Sequence, residues 1–164
     1  MRNHGRRQPE PRRAGLTLIE LLAVMFILAI LVALVVGVGR YVIDDANKRK
    51  TQQTLTVLKE AVQSYHDAAS PKAYPDGNGD DASAAQIFSA LTSPEDSPRV
   101  QAAMERIRRL PEDAMETGGS ANVFLDAWGR KIRYDKDGGF GGRPVFISAG
   151  SDGDFGTDDD IRSD

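Results

Sequence analysis

The chain has 164 residues, a formal net charge of −3, 40% hydrophobic residues, two histidines and no cysteine. The missing cysteine excludes disulfide bracing and thiol chemistry, and the acidic balance argues against nucleic acid as a main partner. Its length leaves room for one small water-soluble domain beside a membrane-length apolar segment.

Residues 1–15 read as a leader. They carry Arg2, Arg6, Arg7, Arg12 and Arg13 against Glu10, so losing them takes the net charge from −3 to −7. A positive head before an apolar span stays on the cytoplasmic side, which places everything after Arg40 outside the cytoplasm. From Leu16 to Gly39 the chain runs 24 residues with Glu20 as its only charge. At about 1.5 Å per residue that is roughly 36 Å of helix, enough to cross a hydrocarbon core of about 30 Å. A carboxylate inside such a span is costly and is read as functional, the plain alternative being a side chain at headgroup level. A secretory signal would place its small-residue cleavage site after the apolar core. Here Ala14-Gly15 come before it, so a cut there leaves the helix on the mature protein.

The segment Gly15-Leu16-Thr17-Leu18-Ile19-Glu20 resembles the prepilin-peptidase motif of type IV pilins and type II secretion pseudopilins. The resemblance implies cleavage by a prepilin peptidase between Gly15 and Leu16, N-methylation of Leu16, and use in assembly of the fifth mature residue, Glu20. Leu16 stands where the family usually has Phe and keeps a hydrophobic side chain.

No proline interrupts residues 16–70, so the helix is expected to continue past the membrane, with Gly37 and Gly39 as points where it could bend. Over residues 40–69, Leu55, Leu58, Val62 and Tyr65 recur at spacings of three and four, an apolar stripe expected to pack on the domain. Ser70-Pro71 ends the pattern, and residues 73–81 form a loop dense in turn formers. Asp76, Asn78 and Asp80 have calcium-loop spacing, but Asp81 and Ile87 stand where an EF-hand needs Gly and Glu. The loop therefore reads as structural punctuation.

Residues 83–92 predict a short helix with Ser83 as N-cap, and Ser97-Pro98 opens a second running to about Arg109. Arg99, Arg106, Arg108 and Arg109 cluster on the second, and flanking acids favour a solvated face over a partner-docking surface. Gly118-Gly119-Ser120 marks a linker. Residues 131–135 and 145–148 predict a hairpin turning at 137–139, extended by residues 122–125. Before it, Asp126-Ala127-Trp128-Gly129 resembles an Asp-Pro-Trp-Gly element of the major pseudopilins, with Trp128 expected in the core.

The chain ends on five carboxylates within nine residues, Asp152 to Asp160, among glycines at 150, 153 and 156. Composition leaves two readings open, a disordered acidic tail or an oxygen-rich loop for a hard cation; no cysteine or histidine is near to favour zinc. The segment resembles the Ser-x-Gly-x-Asp-Gly…Asp-Ile ending of the major pseudopilin, whose loop binds calcium. That resemblance implies calcium held by Asp152, Asp159 and Asp160 with Ser151 and the carbonyl of Ala149. Phe155 is implied as a further carbonyl donor, and Asp154 and Asp158 match less securely in a shortened loop.

Taken together, the resemblance implies a pilin-like α+β fold: a long N-terminal α-helix, transmembrane then amphipathic, packed on a small C-terminal antiparallel β-sheet. The expected divisions are a leader (1–15), a transmembrane helix (16–39), an amphipathic helix (40–69), a helical and loop region (70–121) and a β-hairpin region with the Asp-rich loop (122–164). It implies a single-pass inner-membrane protein with a periplasmic domain, forming a homo-oligomeric helical filament of the type II secretion pseudopilus. Minor pseudopilins and the inner-membrane secretion platform are the further partners. A type IV pilin for adhesion, motility or DNA uptake is the alternative. An enzyme is disfavoured, because His66 stands alone, His4 leaves with the leader, and no Gly-x-Ser-x-Gly element occurs.

Overall fold

The computed structural model describes residues 17–93, 97–119 and 121–164. The leader, the Gly15–Leu16 junction and Ser120 lie outside the described residues. Helix α1 (Leu18–Ala68) opens the chain, and helices α2 (Asp81–Thr92) and α3 (Pro98–Ile107) follow. After a 3₁₀ turn at Glu112–Ala114 come strands β1 (Met115–Glu116), β2 (Val123–Phe124), β3 (Arg133–Gly139), β4 (Arg143–Ser148) and β5 (Ile161–Arg162). Two units divide the chain, Met1–Tyr41 and Val42–Asp164.

In the first unit every described residue up to Gly37 is exposed, including Leu18, Ile19, Leu21, Leu22, Phe26 and Ile27. This stretch of α1 is apolar all round, uncovered among the described residues, and long and apolar enough to cross a membrane. Gly37 and Gly39 do not interrupt the helix, and a Cβ at either would meet nothing within 4 Å.

In the second unit the stripe on α1 does what its spacing predicts. Leu55, Leu58, Ala61 and Val62 are buried, and Tyr65 packs partly against the same core. Burying side chains of this size stabilises the fold by about 1.5–3 kcal/mol each. Ile87, Phe88 and Leu91 of α2, Ala103 and Ile107 of α3, and Phe124, Ile132, Tyr134 and Phe146 complete that core. Two aromatic contacts tie its layers: Phe88 with Phe124 at 4.8 Å and Tyr134 with Phe146 at 5.0 Å between ring centroids. Trp128 packs against this core but is only half-buried, because it sits in a surface turn.

The sheet departs from the expected hairpin in three ways. β3 continues through Gly139, so the turn falls at residues 140–142 and not at 137–139; Gly139 pairs with Arg143. Residues 123–124 do not extend it but pair antiparallel with Met115–Glu116 as a separate sheet. A third strand closes the main sheet: β5 lies antiparallel to β4, Ser148 opposite Ile161 and Ile147 opposite Arg162. An acidic end that pairs its last strand into a sheet is not a disordered tail.

The loop before α2 also has more structure than its turn formers suggested. Asn78 bridges Asp135, Gly79 N donates to the Tyr134 carbonyl at 2.9 Å, and Lys136 N donates to the Gly77 carbonyl at 3.0 Å. At α2 the cap is Asp80 and not Ser83: Asp80 Oδ1 accepts from Ser83 N at 2.8 Å. Ser83 is buried one turn in, donating to the Asp80 carbonyl and accepting from Tyr134 N at 3.1 Å. Ser97 caps α3 as expected, accepting from Val100 N, with Pro98 at the first helical position.

Candidate functional site

Two regions carry polar groups that the core does not explain, the first turn of α1 and the loop between β4 and β5.

At the first, Thr17 N and Thr17 Oγ1 both donate to Glu20 Oε2 at 2.8 Å, and Glu20 N donates back to Thr17 Oγ1 at 3.3 Å. This is a capping box, in which a Thr and the Glu three residues on satisfy each other's orphan amides at a helix start. The Thr-x-x-Glu spacing at 17–20 is the sequence signal for this second role, beside that of a charge in an apolar run. The carboxylate is thus already hydrogen-bonded within its own chain.

At the second, β4 ends at Ser148 and residues 149–160 turn back to β5. Asp159 organises the loop. Its Oδ2 accepts from Ser151 N at 2.7 Å, Ser151 Oγ at 3.1 Å and Asp152 N at 3.1 Å, while Oδ1 accepts from Thr157 Oγ1 at 2.6 Å. The Thr157 hydroxyl, then the Asp152 amide and Ser151, hold this carboxyl far below the usual carboxylate range. Gly150, at φ +62°, is required here, since a Cβ would run into Asp159.

The other expected ligands fall on the same loop but are used differently. Asp152 Oδ1 accepts from Asp154 N at 2.9 Å, and the Ala149 carbonyl accepts from Gly153 N at 3.2 Å. Asp160 Oδ2 accepts from Gly156 N at 2.8 Å, while its Oδ1 is buried with no hydrogen-bond partner among the described residues. Among the described residues no three acidic or histidine side chains converge as a ready metal cluster. The donor chemistry nevertheless fits a hard cation: the loop offers oxygen alone, and one buried carboxylate oxygen is left unsatisfied, a costly state unless something positive meets it.

Behind the loop lies a network the sequence reading did not find. Asp126 is 3% exposed and meets no cation among the described residues. Its Oδ1 accepts from Trp128 N at 3.0 Å and Arg130 N at 2.9 Å, and its Oδ2 accepts from Ser148 Oγ at 2.6 Å. Ala127 N donates to Thr51 Oγ1 on α1 at 3.1 Å. Arg130, fixed in this turn, donates to the carbonyls of Gly150 and Ser151. An Asp followed by a Gly-containing turn was the available clue, since Asp side chains bond backbone two residues on.

Three of the four clustered arginines are engaged within the chain: Arg99 stacks over Tyr65 at 5.4 Å, Arg106 meets Glu60 and Arg108 meets Glu105, each at 3.5 Å. His66 stacks on Tyr74 at 4.2 Å and meets Asp67 at 3.1 Å at the end of α1.

Against known proteins, residues 11–36 match the prokaryotic N-terminal methylation motif. The chain is similar to the type II secretion system core protein G of Aeromonas hydrophila, 31% identical over 150 residues that cover 92% of this chain and 91% of the relative. No solved structure gives a significant match.

Proposed function

The chain belongs to the family of type II secretion system core protein G and is a structural subunit of the pseudopilus, and from that membership we propose how it assembles. A prepilin peptidase cuts between Gly15 and Leu16, and Leu16 is N-methylated. Residues 16–39 then anchor the protein in the inner membrane with Val42–Asp164 in the periplasm. Copies join into a helical filament whose growth drives exported proteins across the outer membrane, working with minor pseudopilins and the inner-membrane platform. The protein contributes structure, and no chemical step is assigned to it.

One observation carries this reading: the exposed apolar stretch of α1, residues 18–39, bears a single carboxylate, Glu20, in the helix's first turn. In lipid that carboxylate gains from a cation, and the amine of Leu16 on a neighbouring copy lies at about the same depth. Pairing them exchanges the weak local donors of Thr17 for an opposite charge, which favours polymer over monomer. Two partly desolvated charges that need each other to offset their burial also fix the stagger between copies.

We further propose that the loop of residues 149–160 takes calcium, through Asp152, Asp159 and Asp160 with Ser151 and the Ala149 carbonyl. The bound ion would neutralise part of the five-carboxylate charge and supply the partner that Asp160 Oδ1 lacks. The assembly reading is tested by Glu20→Ala in a secreting cell. The variant is expected in the inner membrane at normal level, yielding neither sheared filaments nor secretion; normal secretion would overturn the reading.

A further inference from the structure

We propose that Arg130 is a built-in cation of the acidic loop, a positioning residue that holds residues 149–160 folded through two backbone carbonyls whether or not a metal is bound. Its guanidinium forks onto consecutive residues: Nη1 donates to the Gly150 carbonyl and Nη2 to the Ser151 carbonyl, the latter at 3.0 Å. Arginine's planar donors are pre-arranged for such a pair, whereas a lysine ammonium is a point charge on a flexible stem.

The cation is held from the body of the domain and not from the loop. Arg130 N is fixed by Asp126 Oδ1 at 2.9 Å, and its carbonyl accepts from Asp126 N at 2.8 Å. Asp126 in turn holds Ser148, whose Oγ accepts from Gly150 N at 3.3 Å, and Thr51 of α1 holds Ala127 N. The loop is shaped to let the guanidinium in. At Gly153, φ +84°, a Cβ would lie 2.7 Å from Arg130 Cζ, so any side chain there would collide with it.

A metal ion fixes such a loop by drawing oxygens inward. Arg130 draws two of them from outside, and Asp159 ties Ser151 and Asp152 from within. The five carboxylates would otherwise spread the loop by mutual repulsion. The loop is therefore folded in advance of any ion, and calcium, on the reading given above, adds stability to an existing shape.

Hydrogen–deuterium exchange on the full chain in detergent micelles tests this, comparing wild type, Arg130→Gln and Arg130→Lys in excess EGTA and then in saturating calcium chloride. In EGTA the amides of Ser151 and Asp152 should exchange on the order of tenfold faster in Arg130→Gln than in wild type, with α2 unchanged and Arg130→Lys in between. Equal protection in all three proteins in EGTA overturns the proposal. If Arg130→Gln also loses α2 protection, Arg130→Lys decides: wild-type protection of its loop overturns the proposal, and partial loss upholds it. Calcium restoring the loop of Arg130→Gln supports both inferences. Calcium restoring nothing, with the EGTA difference intact, upholds Arg130 and removes the calcium reading.

Discussion

Thr17 and Glu20 hold each other across the first turn of α1, two Thr17 donors meeting one Glu20 oxygen at 2.8 Å while the Glu20 amide returns the bond to the Thr17 hydroxyl. Glu20 is thus a cap and, on the proposed assembly, also a charge, two roles that a substitution can separate. Glutamine can fill the capping box but carries no charge. Glu20→Gln should keep the start of α1 as protected from hydrogen exchange as wild type and still fail to form filaments. Thr17→Ala should do the reverse, loosening the first turn by about 1 kcal/mol while retaining assembly. Filament formation by Glu20→Gln at wild-type level would show that capping, and not charge, is what assembly needs.

Calcium binding to the native loop should appear as a shift in thermal unfolding. An ion present at about 100 times its dissociation constant adds roughly 2.7 kcal/mol, which for a domain of this size moves the midpoint on the order of 10 °C. Asp160→Asn should abolish the shift, because it alters the carboxylate whose buried Oδ1 has no partner among the described residues. The same midpoint in EGTA and in calcium for wild type would exclude the site.

How far the sequence revealed this arrangement depends on how local each signal was. The helical stripe of Leu55, Leu58 and Val62 was legible because burial at spacings of three and four leaves a periodic trace. Ser97-Pro98 was legible because capping chemistry spans only three residues. β5 and the pairing of β1 with β2 were not, since two-residue strands carry no periodicity and depend on a distant partner. Arg130 stayed hidden for the same reason: it meets its carbonyls 20 and 21 residues on, and nothing in Gly129-Arg130-Lys131 marks that contact. Glu20 stands out as a charge among apolar residues, and that contrast masks the Thr-x-x-Glu spacing of its cap.

Acid should destabilise the protein in a defined window. Asp159 has a folded-state pKa well below its unfolded value, held there first by the Thr157 hydroxyl. Such a group contributes stability in full above the unfolded value, near pH 4, and loses it as pH falls through the folded value. Asp80 on the Ser83 amide, Asp113 on Lys50 and Asp164 on Arg162 are shifted the same way. In EGTA, the urea midpoint should be level from about pH 7 to 5 and fall steadily below. Asp159→Asn should start lower at neutral pH and fall less steeply. Parallel profiles for the two proteins would show that the loop bonds on Asp159 do not contribute.

Asp126 should be the most sensitive polar residue of the domain. Alanine there leaves the amides of Trp128 and Arg130 and the hydroxyl of Ser148 without their acceptor in a buried site. Each orphaned group costs about 1–3 kcal/mol, so Asp126→Ala should lose on the order of 3 kcal/mol or more in urea unfolding. Asp126→Asn keeps an oxygen for the two amides and should lose distinctly less. Equal losses would place the effect in packing and not in the hydrogen bonds.

The loop is also tied to the start of α2. Arg133 places its guanidinium 3.6 Å from the centre of the Phe155 ring, while Nε and Nη2 donate to Asp81 Oδ1 at 2.8 and 2.5 Å. One cation thus bridges a loop aromatic and the first turn of α2, a helix that also packs on the sheet through Ile87 and Phe88. A double-mutant cycle of Arg133→Gln with Phe155→Leu should give a coupling of about 0.5–1 kcal/mol in unfolding free energy, the scale of a partly exposed cation–π contact. Asp81→Asn should weaken that coupling by freeing the guanidinium to leave the ring. Because the contact reads the loop's position, the coupling should also grow when calcium is added, if the ion tightens residues 149–160 around Phe155. A coupling of zero in both conditions would mean that α2 and the loop respond independently, and that region 70–121 can vary without consequence for the acidic site.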